Sequence, residues 1–132
     1  MSLLTDITTS VASALQDAGV QFDVLQGPTT LQRENVVSDQ FYVVVAITGG
    51  TVSAFTRDRF ISSQSISVYF YVKSRKAYED FLNTCLSAIK RICADMFAAD
   101  KAVNNAQFTL DTELADAGDT GLLFTFETEV EL

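Results

Sequence analysis

The chain contains no histidine and no tryptophan, a single proline and only two cysteines. Each scarcity removes a class of chemistry. Without histidine there is no side chain that titrates near neutral pH unperturbed. The usual activator of a serine or cysteine nucleophile and the commonest transition-metal ligand are also missing. The two thiols, Cys85 and Cys93, fall within one helical stretch. Eight residues at about 1.5 Å each put them about 12 Å apart, beyond the roughly 7 Å a disulfide spans. They read as small buried hydrophobes rather than a redox pair. No P-loop, dinucleotide fingerprint or CxxC motif occurs. Nor does any apolar run approach the roughly 20 residues that cross a bilayer. The N-terminal "MSLLTDITTSVASALQDAG" has no basic leader region and holds two aspartates, so it does not read as a signal peptide, and a cytoplasmic origin is expected.

Basic residues are also few. Nine Lys and Arg stand against 17 Asp and Glu, a formal charge of −8. Such a domain repels phosphate backbones and is a poor general binder of nucleic acid. What is plentiful is apolar residues, 48% of 132, with 20% charged. That is the composition of a single globular domain able to bury one core.

Hydrophobic periodicity places the elements. Leu4, Ile7, Val11, Ala14, Leu15 and Ala18 recur at three- and four-residue steps, which predicts a helix over 2–18 stopped at Gly19. "VQFDVLQ" alternates and ends at Gly27-Pro28, a short strand with edge character. Residues 28–40 are polar and aperiodic, a loop. "FYVVVAIT" at 41–48 is a buried strand. Gly49-Gly50 after it predicts a tight hairpin turn, with "TVSAF" folding back. "SQSISVYFYVKS" at 63–74 is a second strong strand. A helix over 75–98 follows, capped by Ser74, with an apolar stripe of Tyr78, Phe81, Leu82, Cys85, Ile89, Ile92, Met96 and Phe97. Strands at 106–114 and 122–132, joined by an acidic loop, close the chain. The order α-β-β-β-α-β-β predicts an α+β domain: a mixed, mainly antiparallel sheet with two helices packed on one face.

Two groups of residues stand out as candidate sites. In "FTRDRF", Arg57 and Arg59 sit between Phe55 and Phe60 on the long polar segment 49–63. Basic residues flanked by aromatics suit contact with an acidic partner or phosphates. The plainer reading is solvated loop charges beside Asp58. In the last strand, "GLLFTFETEVEL", Leu122, Phe124, Phe126, Thr128, Val130 and Leu132 face one way. Glu127, Glu129 and Glu131 face the other, either as a wet face that discourages edge pairing or as an acidic face with something to repel or bind. Asp111, Glu113, Asp116 and Asp119 in the acidic loop lack the register of a calcium-binding loop and read as a solvated connection. No nucleophile–base pair, carboxylate pair across a cleft, metal site or cofactor site is expected, and hence no enzyme.

The order of these features resembles the tail terminator (tail completion) proteins of long-tailed bacteriophages over nearly the whole chain. The match rests on "VQFDVLQGP", "FYVVVAITGG", the strand "SQSISVYFYVKS" running straight into "RKAYEDFLNTCLSAI", and the closing "GLLFTFETEVEL". The resemblance implies a virion protein assembled in the host cytoplasm. It also implies a homo-hexameric ring that caps the tail tube, meets a head-proximal neck or connector protein and lets DNA through without sequence-specific binding. Loops 28–40 and 49–63 would then contact neighbouring subunits or the tube, and Glu127, Glu129 and Glu131 would line the channel or face solvent. Another neck, head–tail joining or baseplate subunit, and a small ligand-binding α+β domain, remain as alternatives.

Overall fold

A computed structural model describes residues 2–27, 35–73, 78–111 and 118–132. The first helix, α1 (Leu3–Asp17), is capped by Ser2, whose hydroxyl accepts from the Thr5 amide at 3.2 Å. Gly19, at φ +72°, ends it in the left-handed conformation that glycine adopts without cost. Its inward side is Ile7, Val11 and Leu15, the core of the expected stripe. The second helix, α2 (Tyr78–Ala98), buries Phe81, Cys85, Ala88, Ile92 and Met96. It closes with Asp100 at φ +57° and the Lys101 amide donating to the Met96 carbonyl at 2.9 Å. The expected start of this helix at residues 74–77 lies outside the described residues.

Five strands, β1 (Phe22–Gln26), β2 (Phe41–Ala54), β3 (Phe60–Val72), β4 (Asn104–Leu110) and β5 (Thr120–Glu131), form one sheet in the order β1-β2-β3-β5-β4. β1 is an edge strand parallel to β2, and all other pairs are antiparallel. Element order, mixed sheet and α+β class agree with the sequence reading. Both helices cover one face. There Phe41, Val43 and Val45 of β2, Ile66, Val68 and Phe70 of β3, and Leu122, Phe124 and Phe126 of β5 meet the inward sides of α1 and α2. Phe41 stacks on Phe81 with ring centroids 5.5 Å apart, an offset arrangement that aromatic pairs favour. The far face carries a smaller cluster of Val36, Tyr42 and Tyr71.

The expected turn at Gly49-Gly50 is not there. β2 runs through both glycines to Ala54 and pairs with β3 as far as Ala54↔Phe60. The register shifts between Ile47 and Gly49, which leaves Thr48 as a bulge. A Cβ at Gly50 would collide with the Ser63 carbonyl oxygen. The glycines therefore serve a bulge and a close backbone approach within a strand. The chain actually reverses at Thr56–Arg59, where the Arg59 amide donates to the Thr56 carbonyl at 3.4 Å and the Phe55 amide to the Arg59 carbonyl at 2.8 Å. The segment 49–63 is thus a β-hairpin rather than a loop.

Candidate functional site

The hairpin creates the most distinctive surface of the molecule. β1 accompanies β2 only as far as Val45, and β4 accompanies β5 only as far as Glu127. Beyond these points β2, β3 and the end of β5 continue as a three-stranded tongue, and every β2 residue from Ile47 to Ala54 is exposed. On the helix side of the tongue Ile47, Val52, Phe60 and Leu132 are exposed, because β2 residues 50, 52 and 54 pair with β3 residues 64, 62 and 60 on that face. On the other side stand Glu127, Glu129 and Glu131, opposite Ser65, Ser63 and Ile61.

Both candidate groups lie on this tongue, and the fold joins them at one point. Arg59 Nε donates to Glu131 Oε1 at 2.9 Å and Arg59 Nη2 to Oε2 at 3.2 Å, the bidentate fork that guanidinium and carboxylate favour. Arg59 also lies over the Phe55 ring, 5.5 Å from its centroid. Hydrogen bonding and charge from Arg59 hold the Glu131 carboxyl below its usual range, and the same contacts raise Arg59. Asp58, expected beside the arginines, is not the partner of Arg59. Phe60 sits on the apolar side of the tongue, away from this pair. Among the remaining glutamates, Glu127 accepts from Asn105 Nδ2 at 2.8 Å. Glu129 has no hydrogen-bond or ion-pair partner among the described residues.

The two described acidic residues at the ends of the acidic loop, Asp111 and Asp119, are not merely solvated. Asp119 is 2% exposed and accepts from the Tyr71 hydroxyl at 2.6 Å. Asp111 accepts from the Tyr69 hydroxyl at 3.2 Å, and burial, followed by the nearby Asp111 charge, pushes the Tyr69 phenol well above its ordinary value. Glu113 and Asp116 lie outside the described residues. Among the described residues no group of three acidic or thiol side chains is placed to hold a metal. Cys85 is a buried thiol and Cys93 a half-buried one, and burial raises the Cys93 thiol. A cleft of about 310 Å³ opens between α1 and the end of α2, lined by Asp6, Ser10, Asp95, Met96 and Lys101 among others. Its central contact is Ser10 Oγ donating to Asp95 at 2.6 Å. No helix is long and apolar enough to cross a membrane among the described residues.

One apolar surface of α2 was visible in the sequence but merged with another. The α2 stripe divides in two. Of its residues Phe81, Cys85, Ile92 and Met96 point into the core, joined there by Ala88, while Leu82 and Ile89 are only partly buried and Phe97 is exposed. Cys93, partly buried, and Leu86, exposed, lie beside this second set and were not in the expected stripe. At 100° per residue the second set occupies the flank opposite Arg91 and Asp95. Those two residues meet α1 through Asp17 and Ser10, so the apolar flank faces away from α1. There it overhangs the β4 side of the sheet, where Phe108 is exposed on the same face.

No protein-family model and no curated protein matches the chain. A solved structure does. It is a chain of the virion of a native gene transfer agent (GTA) particle. The alignment covers 99% of this chain and 96% of that one, with a TM-score of 0.57 and 10% sequence identity. At that identity the likeness is one of fold, and it extends over both chains almost end to end.

Proposed function

We propose that this chain is a structural component of a phage-type virion and serves as its tail terminator. The observation that carries this reading is the end-to-end fold match to a virion chain. The same order of elements underlies the resemblance to tail terminators. The site chemistry is compatible: the described surface offers an amphipathic tongue and apolar flanks for assembly, and its acidic side suits a channel that must not retain DNA. In this role the chain closes into a homo-oligomeric ring, a hexamer by the resemblance. It ends polymerisation of the tail tube at the head-proximal end and presents the opposite surface to a neck protein. It acts without a cofactor and without catalysis, and Glu127, Glu129 and Glu131 face the lumen.

Electron microscopy of particles made with and without the protein tests the role. Overlong tails of variable length in its absence are expected. Tails of normal length that lack only the head joint would transfer the assignment to the neck, and unaltered particles would refute a virion role. Within particles, replacing Glu127, Glu129 and Glu131 with glutamine slows DNA passage if the row lines the channel. Unchanged DNA ejection would return it to plain surface.

A further inference from the structure

Sheet edges are hazards that soluble proteins guard with charges or proline. In this acidic chain the guarding is selective. The free end of β5 carries Glu127, Glu129 and Glu131. The outer edge of the tongue, Ala46–Ala54 of β2, and the outer edge of β4, Asn104–Leu110, contain no charged residue and no proline. Neither edge has a strand partner among the described residues beyond Val45 of β2 and along the outside of β4. Each bare edge is also bordered by exposed apolar side chains on the helix side of the sheet: Val52 and Ile47 on the tongue, Leu86, Phe97 and Phe108 beside β4.

We infer that the tongue of one copy adds its β2 edge to the β4 edge of a second copy, with Val52 covered by the α2 flank and Phe108 of that neighbour. Three features select a second copy as the occupant. Both halves of the contact are present on one chain, at opposite ends of its sheet. Their lengths are commensurate, nine residues of β2 beyond Val45 against seven of β4. Addition of the strand continues the sheet, so that the apolar side of the tongue falls on the side where the neighbour's shelf stands open. The scale is adequate too. A tongue about 30 Å long and about 14 Å wide, with Ser62 and Thr128 already buried on its helix side, offers roughly 600 Å² from the exposed part of that face and one edge, at the lower end of specific interfaces per partner. Because the two halves differ, the contact is head-to-tail and propagates to a ring or a filament. The inference supplies the subunit contact for the assembly proposed above and rests on that reading for its biological setting.

Analytical ultracentrifugation over a concentration series, in low and in 0.5 M salt, reads the association of the full chain. The wild type is expected to associate, and more strongly at high salt, since like-charged copies repel. Val52→Glu in the tongue and Phe108→Glu in the shelf are each expected to weaken association by roughly 30-fold or more. Circular dichroism establishes that both remain folded, and Val52→Ser with Phe108→Ser provides milder replacements. Mixing the two glutamate variants restores one intact contact per pair and should yield a heterodimer that grows no further. A wild type that stays monomeric throughout, variants that assemble normally, or a mixture that remains monomeric overturns the tongue-to-shelf contact. Tail length in particles is a separate readout. Normal terminated tails with the Val52→Glu variant would overturn this contact and leave the terminator role standing.

Discussion

At the scale of single residues, Arg59 and Glu131 lock the open end of the tongue. Both are exposed, so water and salt screen the pair and its effect on global stability is small. Its signature is electrostatic. The Glu131 carboxyl is held below the ordinary value of 4.5. The pair therefore adds stability above the unfolded-state pKa, and that contribution is lost as pH falls through the lower folded-state value. A carboxyl NMR titration should show the Glu131 midpoint move up in Arg59→Gln, and an unmoved midpoint would mean the pair does not form in solution. Thr128 is a different case. Its side chain is fully buried on the helix side of β5, and its hydroxyl has no hydrogen-bond partner among the described residues. An unsatisfied buried hydroxyl is destabilising by about 1–3 kcal/mol. Thr128→Val keeps the shape and removes the orphan, so urea denaturation should show a gain of about 1 kcal/mol. A loss would indicate a hydrogen bond that forms in solution.

At the scale of elements, the two adjacent glycines of β2 make a sharp contrast. A Cβ at Gly50 meets the Ser63 backbone carbonyl, whereas at Gly49 nothing lies within 4 Å. Gly50→Ala forces the β2–β3 pair apart and should destabilise by about 1–3 kcal/mol, the range of overpacked sites. Gly49→Ala should be neutral or stabilising by about 0.5–1 kcal/mol, because it restricts the unfolded chain without a clash. Chemical denaturation, with hydrogen exchange of the tongue amides, separates the two. Equal effects would point to a turn at the glycine pair after all. The same positions explain a failure of sequence reading. Gly-Gly between β-forming segments satisfies a local hairpin rule, but the rule cannot detect the Ser63 carbonyl that makes a side chain impossible at Gly50. By contrast α1, α2 and the alternating β5 were legible, because each keeps its period over three turns or more, or over a full strand. The α2 stripe was legible as a stripe and not as two surfaces. Separating Leu82, Ile89 and Phe97 from Ile92 and Met96 requires knowing where α1 sits.

At the scale of the whole molecule, the charge of −8 is distributed unevenly over the edges and faces of one sheet. Replacing Glu127, Glu129 and Glu131 with glutamine takes the formal charge from −8 to −5. Self-repulsion weakens, and thermal stability should depend less steeply on salt below about 0.15 M, where screening is incomplete. Melting at several ionic strengths checks this, and an unchanged slope would show that charges elsewhere dominate the repulsion. The candidate residues themselves were legible in sequence as types and positions. Their union was not, since Arg59 and Glu131 are 72 residues apart and meet only because β3 and β5 are neighbours in register.

The sequence by itself determined the elements and the two-sidedness of each. Backbone geometry imposes periods of 3.6 and 2, and burial of one side writes those periods into nearby residues. It also determined that no imidazole is available, since the chain has no histidine. Only the tertiary structure decided the strand order β1-β2-β3-β5-β4, the length of the tongue, the pairing of Arg59 with Glu131 and the burial of Asp119. These depend on which distant segments bury one another best. That competition is settled by packing and register across the whole sheet, and no local stretch of the chain records its outcome.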